Sequence, residues 1–539
     1  MSSLPDPIRE GLARGWKVLG GRHAPLPPSL ECDVAIIGSG AGAGITAELM
    51  AKAGLRVVIV EEGQLKSSSD FNQDEAQAYP SLYQESAGRK TRDKAITIMQ
   101  GRTVGGSTTV NWTSSFRTPE ATLGHWQSQL GLKDYSSAAL APYFQQAEER
   151  LNVHTWTTEP NVNNNLLHVG AAKLGMKSSV MRRNVRGCYN LGSCGMGCPT
   201  NAKQSMLVTT IPAALDLGAT LLVETRAQQL DIAGGRVTGL QCVAVTPNAG
   251  LADGGKIATK IIAKHYVLSG GAINSPALLL RSKAPDPHQR LGTRTFLHPV
   301  VITTAVMPQT VAAWSGAPQS AYTDHYLETQ ALDGPMGFKV EAAPLHPVFF
   351  GANLPGFGEQ QASLFKAFPH AHVLLALLRD GFHPQSTGGT VGLRSDGSPE
   401  LDYPLNDFVM DGARRALLAM AEMQFAAGAQ TVYVAHEMAT PSTSWAEARK
   451  MIDALPIKPL LTKVGSAHVM GGCSLSADEK SGVTRPDGQH WQLDNLSIHD
   501  GSLFPTSIGA NPQLSIYGIV NRLSQNLAQR LGGKAVTLA

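Results

Sequence analysis

The sequence predicts an α/β protein of two lobes whose first lobe opens with a βαβ unit. Three observations carry this. The chain has 539 residues, well past the roughly 250–300 at which single cores stop growing. Residues 33–37 (DVAII) and 56–60 (RVVIV) are short apolar runs of the kind buried on both faces of a parallel sheet. Between them a Gly-rich turn leads into a helix expected from about Ala43 to Lys52 and ended by Gly54. Length is only a prior, and lobes of large α/β enzymes often interleave along the chain.

Composition is that of a globular protein, with 42% hydrophobic and 16% charged residues. The formal net charge of +3 balances 45 basic against 42 acidic residues. With no basic stripe, nothing calls for a nucleic-acid partner. The N-terminal stretch lacks a basic segment followed by an apolar one, and no apolar run reaches the roughly 18 residues of a membrane span. The expectation is a soluble, cytoplasmic protein; export with a partner stays open. Six cysteines in this length are no disulfide framework.

Along the chain, residues 1–30 read as an N-terminal extension and residues 67–93 as polar and irregular. A helix is expected around Pro142–Leu151. Residues 205–285 return to α/β patterning through LLVET, RVTGLQCVAV and HYVLSGG, followed by a helix through NSPALLLRS. A further helix reads GARRALLAMAEMQFAAGA, and a last one spans Gln513–Leu531. There is no internal repeat.

The segment DVAIIGSGAGAG sets Gly38, Gly40 and Ala43 in a G-x-G-x-x-A arrangement, with Ala41 and Gly42 between. Gly38 allows a tight turn, Gly40 lets a pyrophosphate approach the backbone, and Ala43 allows close helix–strand packing. The helix start offers free N–H groups and a positive dipole end to phosphates. Glu61 follows Gly38 by 23 residues, where a carboxylate accepts from ribose hydroxyls. Glu62 belongs to the same group, though it is expected to point away. The fingerprint does not separate FAD from NAD.

Four further motifs follow in order: GRTVGGSTTVNW (101–112), GAINSPALLL (271–280), SAHVMGGC (466–473) and HDGSLFPTSIGANPQLSIYG (499–518). Together the five resemble the glucose–methanol–choline (GMC) oxidoreductases; residues 300–455 match only loosely. The resemblance implies an α/β fold: a Rossmann-like FAD-binding domain interleaved with a smaller α+β substrate domain on an antiparallel sheet. We assign 31–120, 201–300 and 456–539 to the first, and 121–200 with 301–455 to the second. Gly105, Gly106 and Ser107 would lie along the flavin with Asn111 near its ring. Arg102, Trp112 and Ala227 are grouped with them. Asp500 and Gly501 would hold the ribityl and pyrophosphate side. Some members link FAD through a histidine where this chain has Val110, so non-covalent FAD is expected.

Oxidising an alcohol carbon requires removal of the hydroxyl proton, a task for a base such as histidine. By the resemblance, His468 is that base and Asn511 its partner on the substrate oxygen, with hydride passing to flavin N5. Asn511 and Pro512 also suit the N-cap and first position of the last helix, whose start would face the flavin. His298 and His499 read as structural.

Cys188, Cys194 and Cys198 form C-x5-C-x3-C. Two readings stand open. Thiolates on a Gly-rich loop can hold an iron–sulfur cluster, and the spacing resembles the catalytic subunit of bacterial FAD-dependent glucose dehydrogenases, which carries a 3Fe–4S cluster. Otherwise they are reduced structural cysteines or one disulfide. A cluster implies a dehydrogenase feeding a cytochrome or quinone; without it an oxidase using O₂ stays open. Other readings are a hydroxynitrile lyase of the same family and a non-catalytic electron-carrying subunit. The Phe-, Leu- and Pro-rich stretch 344–378 hints at an apolar pocket for a medium-chain, terpenoid or aromatic alcohol, or is ordinary core.

Overall fold

The computed structural model describes residues 4–245 and 257–538. Among them the first mixed sheet has eight strands. Its path runs Lys17–Leu19, Thr220–Leu222, Val57–Val60, Ser29–Ile37, Ile257–Leu268, Arg236–Ala244, Thr225–Ala233, with Leu496–Ile498 also paired to Ile257–Leu268. Pairing is parallel from Lys17–Leu19 across to Ile257–Leu268 and antiparallel beyond it. The opening strand is longer than predicted, starting at Ser29, and the second begins at Val57.

The helix Ala41–Lys52 starts two residues before the predicted Ala43. Residues 42–51 are all buried, because the sheet lies on one side and the last helix, Gln513–Gly532, on another. A helix enclosed this way shows no simple apolar stripe; its buried Glu48 is paired by Lys52 and Arg150.

The second eight-stranded sheet runs Ile96–Ile98, Val464–Ser466, Val300–Val306, Ala371–Leu378, Phe338–Ala342, Ala321–Thr323, Ser179–Val180, with Thr431–Val434 also on Val300–Val306. It is antiparallel apart from the pair Ile96–Ile98 and Val464–Ser466. Every residue of Ala371–Leu378 is buried. The helices Asp407–Ala426 and Val162–Lys173 pack on this sheet. Val300 pairs with Leu377 and Ile302 with Leu375 in register, and these four border a cavity. Ile302, Leu375 and Leu377 are buried and Val300 half-buried; burying one such side chain fully contributes about 1.5–3 kcal/mol.

The structure differs from the sequence reading in several places. Of the expected extension 1–30, the described residues 4–30 are not outside the fold: Pro7–Ala13 is helical, Lys17–Leu19 extends the first sheet, and buried Asp6 accepts from Ser68. Ile96–Ile98 and Val464–Ser466, inside segments assigned to the first lobe, pair into the second sheet. The polar stretch 67–93 contains a helix, Glu75–Leu82. The helix expected near Pro142–Leu151 spans Ser137–Arg150. Asn511 does not cap the last helix: Pro512 occupies the N-cap with no side-chain hydrogen bond, and the Asn511 amide turns elsewhere.

Candidate active site

A cavity of about 400 Å³ is walled by residues of both sheets. Its lining includes Gly38, Gly40, Ala41, Gly42, Glu61, Glu62 and Ala227, then Gly106, Ser107, Asp500 and Gly501, and also Asn111, Trp112, His468, Asn511 and Pro512. The same lining has an apolar share: Val300, Ile302, Leu375, Leu377, Pro344 and Phe349.

The two Gly-rich turns face each other. Gly38 sits at φ +105 with Ser269 O 2.3 Å from where a Cβ would stand, so only glycine makes this turn. Gly106, at φ +53, would put a Cβ 2.8 Å from Gly40 Cα. A Cβ on Gly40 would meet nothing nearer than 3.9 Å, so that flank opens onto the cavity. Ser39 ties the turns together: its hydroxyl donates to Glu61 Oε2 (2.5 Å) and accepts from Gly105 N (3.0 Å). Glu61 also accepts from Gly63 N. Burial lifts its carboxyl to about 7 against those hydrogen bonds.

Two predicted residues lie off the cavity wall. Gly105 packs inward, where a Cβ would stand 2.3 Å from Thr109 Oγ1. Arg102 pairs with Glu62 at 2.7 Å behind the turn. Asp500 borders the cavity but its carboxylate already accepts from Gly271 N, Ser275 Oγ, Ser502 N and Ser502 Oγ. Its visible work is to pin the start of helix Gly271–Arg281 to the loop after Ile498. His499 bridges Thr46 and Ser524, where helix Ala41–Lys52 meets the last helix.

The residues present fit an extended dinucleotide. Helix Ala41–Lys52 begins at Gly40 with no side-chain cap, leaving N–H groups for an anionic ligand. Glu61 and His468 line the same cavity.

His468 is half-buried on the cavity wall, and its desolvated setting holds its imidazole down to about 4, so the ring is neutral near pH 7. Its Nδ1 lies 3.1 Å from His298 Nδ1. His298, fully buried, is held well below the usual histidine range by burial and then by His468. It adopts φ +49 just before Pro299, a conformation rare for a non-glycine residue. Asp380 secures it by accepting from both Leu297 N and His298 N, and is itself held by Tyr403 OH. Asn511 Nδ2 donates to Glu341 Oε2 (3.3 Å), which also accepts from Gln319 Nε2. Burial raises the Glu341 carboxyl to about 7, against the pull of Lys339. Asn511 Oδ1, Glu341 Oε1 and His298 Nε2 are buried without protein partners. Asn111 is clamped by Gln513, whose own amide donates to Ser114 O and Asn184 Oδ1.

The models of two parts of one enzyme family match this chain: the GMC oxidoreductase N-terminal part over residues 57–300 and the C-terminal part over 384–519. The chain belongs to the GMC oxidoreductase family. Members of this family bind FAD. A long-chain-alcohol oxidase of Arabidopsis thaliana is 27% identical over 526 residues, covering 94% of this chain and 69% of the relative. An uncharacterized GMC-type oxidoreductase of Mycobacterium tuberculosis is 28% identical over 513 residues, covering 95% and 78%. Among solved structures, pyridoxine 4-oxidase (TM-score 0.65, 18% identity, 92% and 99% covered) and formate oxidase (TM-score 0.67, 15% identity, 94% and 99% covered) share the fold.

In this GMC oxidoreductase the three clustered cysteines are free thiols. They border a second, small cavity, yet among the described residues no three His, Cys, Asp or Glu side chains gather to hold a metal. The cluster reading therefore finds no support in the geometry. Each thiol has other company: Cys188 packs by Trp156, Val185 and Ala317; Cys194 takes a 3.9 Å contact from Arg183 Nη2; Cys198 accepts from Lys203 N. Burial raises Cys198, but hydrogen bonds from Thr200 and Lys203 outweigh it and leave the thiol below its usual range. Lys203 is buried, and its ammonium donates to Thr109 O, Asn111 O and Cys194 O at 2.7–2.8 Å.

Sequence reasoning missed His298 as more than structural and missed Glu341 altogether. The signal for the second was present. Lys339 and Glu341 alternate in the run FKVEA, placing two charges on one face of an otherwise apolar strand.

Proposed function

We propose that this GMC oxidoreductase oxidises an apolar, extended primary or secondary alcohol with non-covalently bound FAD. One observation carries the reading: a single cavity is lined by the Gly-rich turns, by His468 and Asn511, and by the aliphatic Val300, Ile302, Leu375 and Leu377. FAD, when bound, supplies the two-electron acceptor. Gly38, Gly40, Ala41, Gly42, Glu61, Gly106 and Ser107 would hold it, with Asn111 and Pro512 near its reactive end.

The chain's own groups handle the proton and the pose. His468 stays neutral near pH 7 and takes the hydroxyl proton on the ring nitrogen not shared with His298. Asn511 offers its carboxamide to the substrate oxygen while Glu341 fixes its orientation. Val300, Ile302, Leu375 and Leu377 exclude water and take up the alkyl chain. The long-chain-alcohol oxidases among the relatives agree with such a substrate. Val110 carries no nucleophile for a flavin link, so acid precipitation is expected to release all the flavin.

The test is anaerobic addition of 1-dodecanol to the yellow holoenzyme. Bleaching of the flavin absorbance is expected. An unchanged spectrum across a series of alcohols, with cyanohydrin cleavage in its place, would favour the lyase reading. Reoxidation by air or only by an artificial acceptor then separates oxidase from dehydrogenase.

A further inference from the structure

Arg89 follows a strained turn. Glu85, Ser86 and Ala87 are three consecutive non-glycine residues in the left-handed region, with φ of +51, +56 and +64. Such conformations persist only where their surroundings fix them, and they gather at ligand sites. Here the fixing is visible: Gly88 N donates to Glu85 O, Gln84 N to Gln100 O, and Ile98 N to Arg89 O. Arg89 itself is enclosed, at 3% exposure. Its Nε donates to Glu85 Oε1 (3.0 Å) and its Nη2 to Gln84 Oε1 (3.2 Å). Its Nη1 donates to Gln100 Oε1 (2.9 Å) and, more loosely, to Asn274 Oδ1 (3.4 Å).

A guanidinium has N–H donors and no acceptor. Each of the three amides must therefore turn its oxygen to Arg89, so the direction of each follows from chemistry. Their NH2 groups are left over. Gln84, Gln100 and Asn274 all border the main cavity, while Arg89 is not part of its lining. Among the described residues none of the three NH2 groups has a protein acceptor, and none is sealed from open space. Gln100 directly precedes the second Gly-rich turn. Its Nε2 lies 3.8 Å from where a Cβ on Gly271 would stand, and Gly271 N donates to Asp500. One buried residue thus sets the polarity of three donors beside the turn and Asp500. A cavity wall of donors suits a ligand part rich in acceptor oxygens.

We propose that Arg89 is a positioning residue that turns the amides of Gln84, Gln100 and Asn274 into hydrogen-bond donors for the oxygen-rich middle of FAD, its diphosphate and ribityl oxygens. The proposal rests on the FAD reading above and adds to it the residue that sets donor direction.

The test compares the natural chain with Gln84→Glu and Gln100→Glu, which keep an oxygen for Arg89 but replace the NH2 group by a second acceptor. FAD released on dilution of the holoenzyme, read by its fluorescence, gives the Kd. It is expected to rise about tenfold or more in each variant, while the melting temperature of the flavin-free full chain stays unchanged. Arg89→Lys, which still donates but cannot fork to three amides, should weaken FAD binding less than Arg89→Met. Riboflavin, which has the ribityl chain and no phosphate, separates the two sets of oxygens. Undiminished riboflavin affinity in the acid variants assigns the amides to the diphosphate; a parallel loss assigns them to the ribityl chain. A Kd for FAD within about twofold of the natural value in both acid variants overturns the proposal. So does weakened binding matched by a lower melting temperature of the flavin-free chain, which would make the cluster a matter of folding alone. A natural chain that holds no FAD strikes the function reading first, and this proposal with it.

Discussion

His298 Nδ1 and His468 Nδ1 stand 3.1 Å apart, so one of two neutral rings, the first buried and the second half-buried, donates to the other. When His468 donates, its remaining nitrogen is bare and able to accept a proton; when it accepts, that nitrogen carries a hydrogen and cannot. His298 thus selects the tautomer of His468 and acts as a positioning residue. His298→Asn is the informative change, because asparagine tolerates the φ +49 backbone while removing the ring. We expect kcat to fall about 10–100-fold with flavin content unchanged. His468→Ala should cost about 10²–10⁴-fold. The double variant should be no worse than His468→Ala alone, since the pair acts as a unit; additive losses would separate the two.

Glu341 and His468 should set different parts of the pH profile. Glu341 loses its proton near 7 and His468 gains one near 4. The expected kcat/KM profile has an inflection near pH 7 and a fall below about pH 4. Glu341→Gln keeps an oxygen for Asn511 and Gln319 but does not titrate. It should abolish the upper inflection and leave the lower; persistence of the upper one would assign it elsewhere.

Gly40→Ala and Gly42→Ala sit two residues apart and should fail differently. A Cβ on Gly42 would lie 1.7 Å from His499 O, against backbone that cannot yield. That variant should express poorly or lose more than about 3 kcal/mol by an overpacking route. A Cβ on Gly40 has protein room but enters the ligand space. Gly40→Ala should fold and retain less flavin, measured as the ratio of flavin to protein absorbance after gel filtration.

Stability of the flavin-free protein should fall as pH drops from 6.5. Burial holds His265, His372 and His499 at about 3 and His468 and His490 at about 4, against 6.5 when unfolded. Their folded pKa values are depressed, so below 6.5 the unfolded chain binds more protons and unfolding gains. The loss continues down to pH 3–4. Glu61 and Glu341, raised to about 7, work in the opposite sense: what they contribute is present at low pH and lost as pH rises toward 7. Histidines outnumber them, so the net slope is toward acid lability. Melting curves at pH 7, 6 and 5 check this, and His372→Gln should flatten the slope.

The parts legible in the sequence were the local ones. Gly38, Gly40 and Glu61 announce a turn and an acid through residues within 23 positions of each other, so spacing alone carries the geometry. The pairs His298–His468 and Asn511–Glu341 are each separated by 170 positions, and no periodicity reports such meetings. Strands as short as Ile96–Ile98 and Val464–Ser466 have too few residues to display an alternation, which is why their membership of the second sheet was misjudged. Beside its role at the substrate oxygen, Asn511 also suits a cap in the sequence, because Asn-Pro is locally good at a helix start. The stronger demand came from buried Glu341, whose carboxylate required a donor.

Lys203 couples parts of the enzyme that look independent. Its three protons are all committed to carbonyls, two from the segment ending at Asn111 and one from the cysteine loop. The loop is therefore bolted to the backbone that presents Asn111, and Tyr83, which donates to Gly195 O, braces it from the opposite flank. Displacing Cys194 O would therefore reach Asn111 through the ammonium of Lys203.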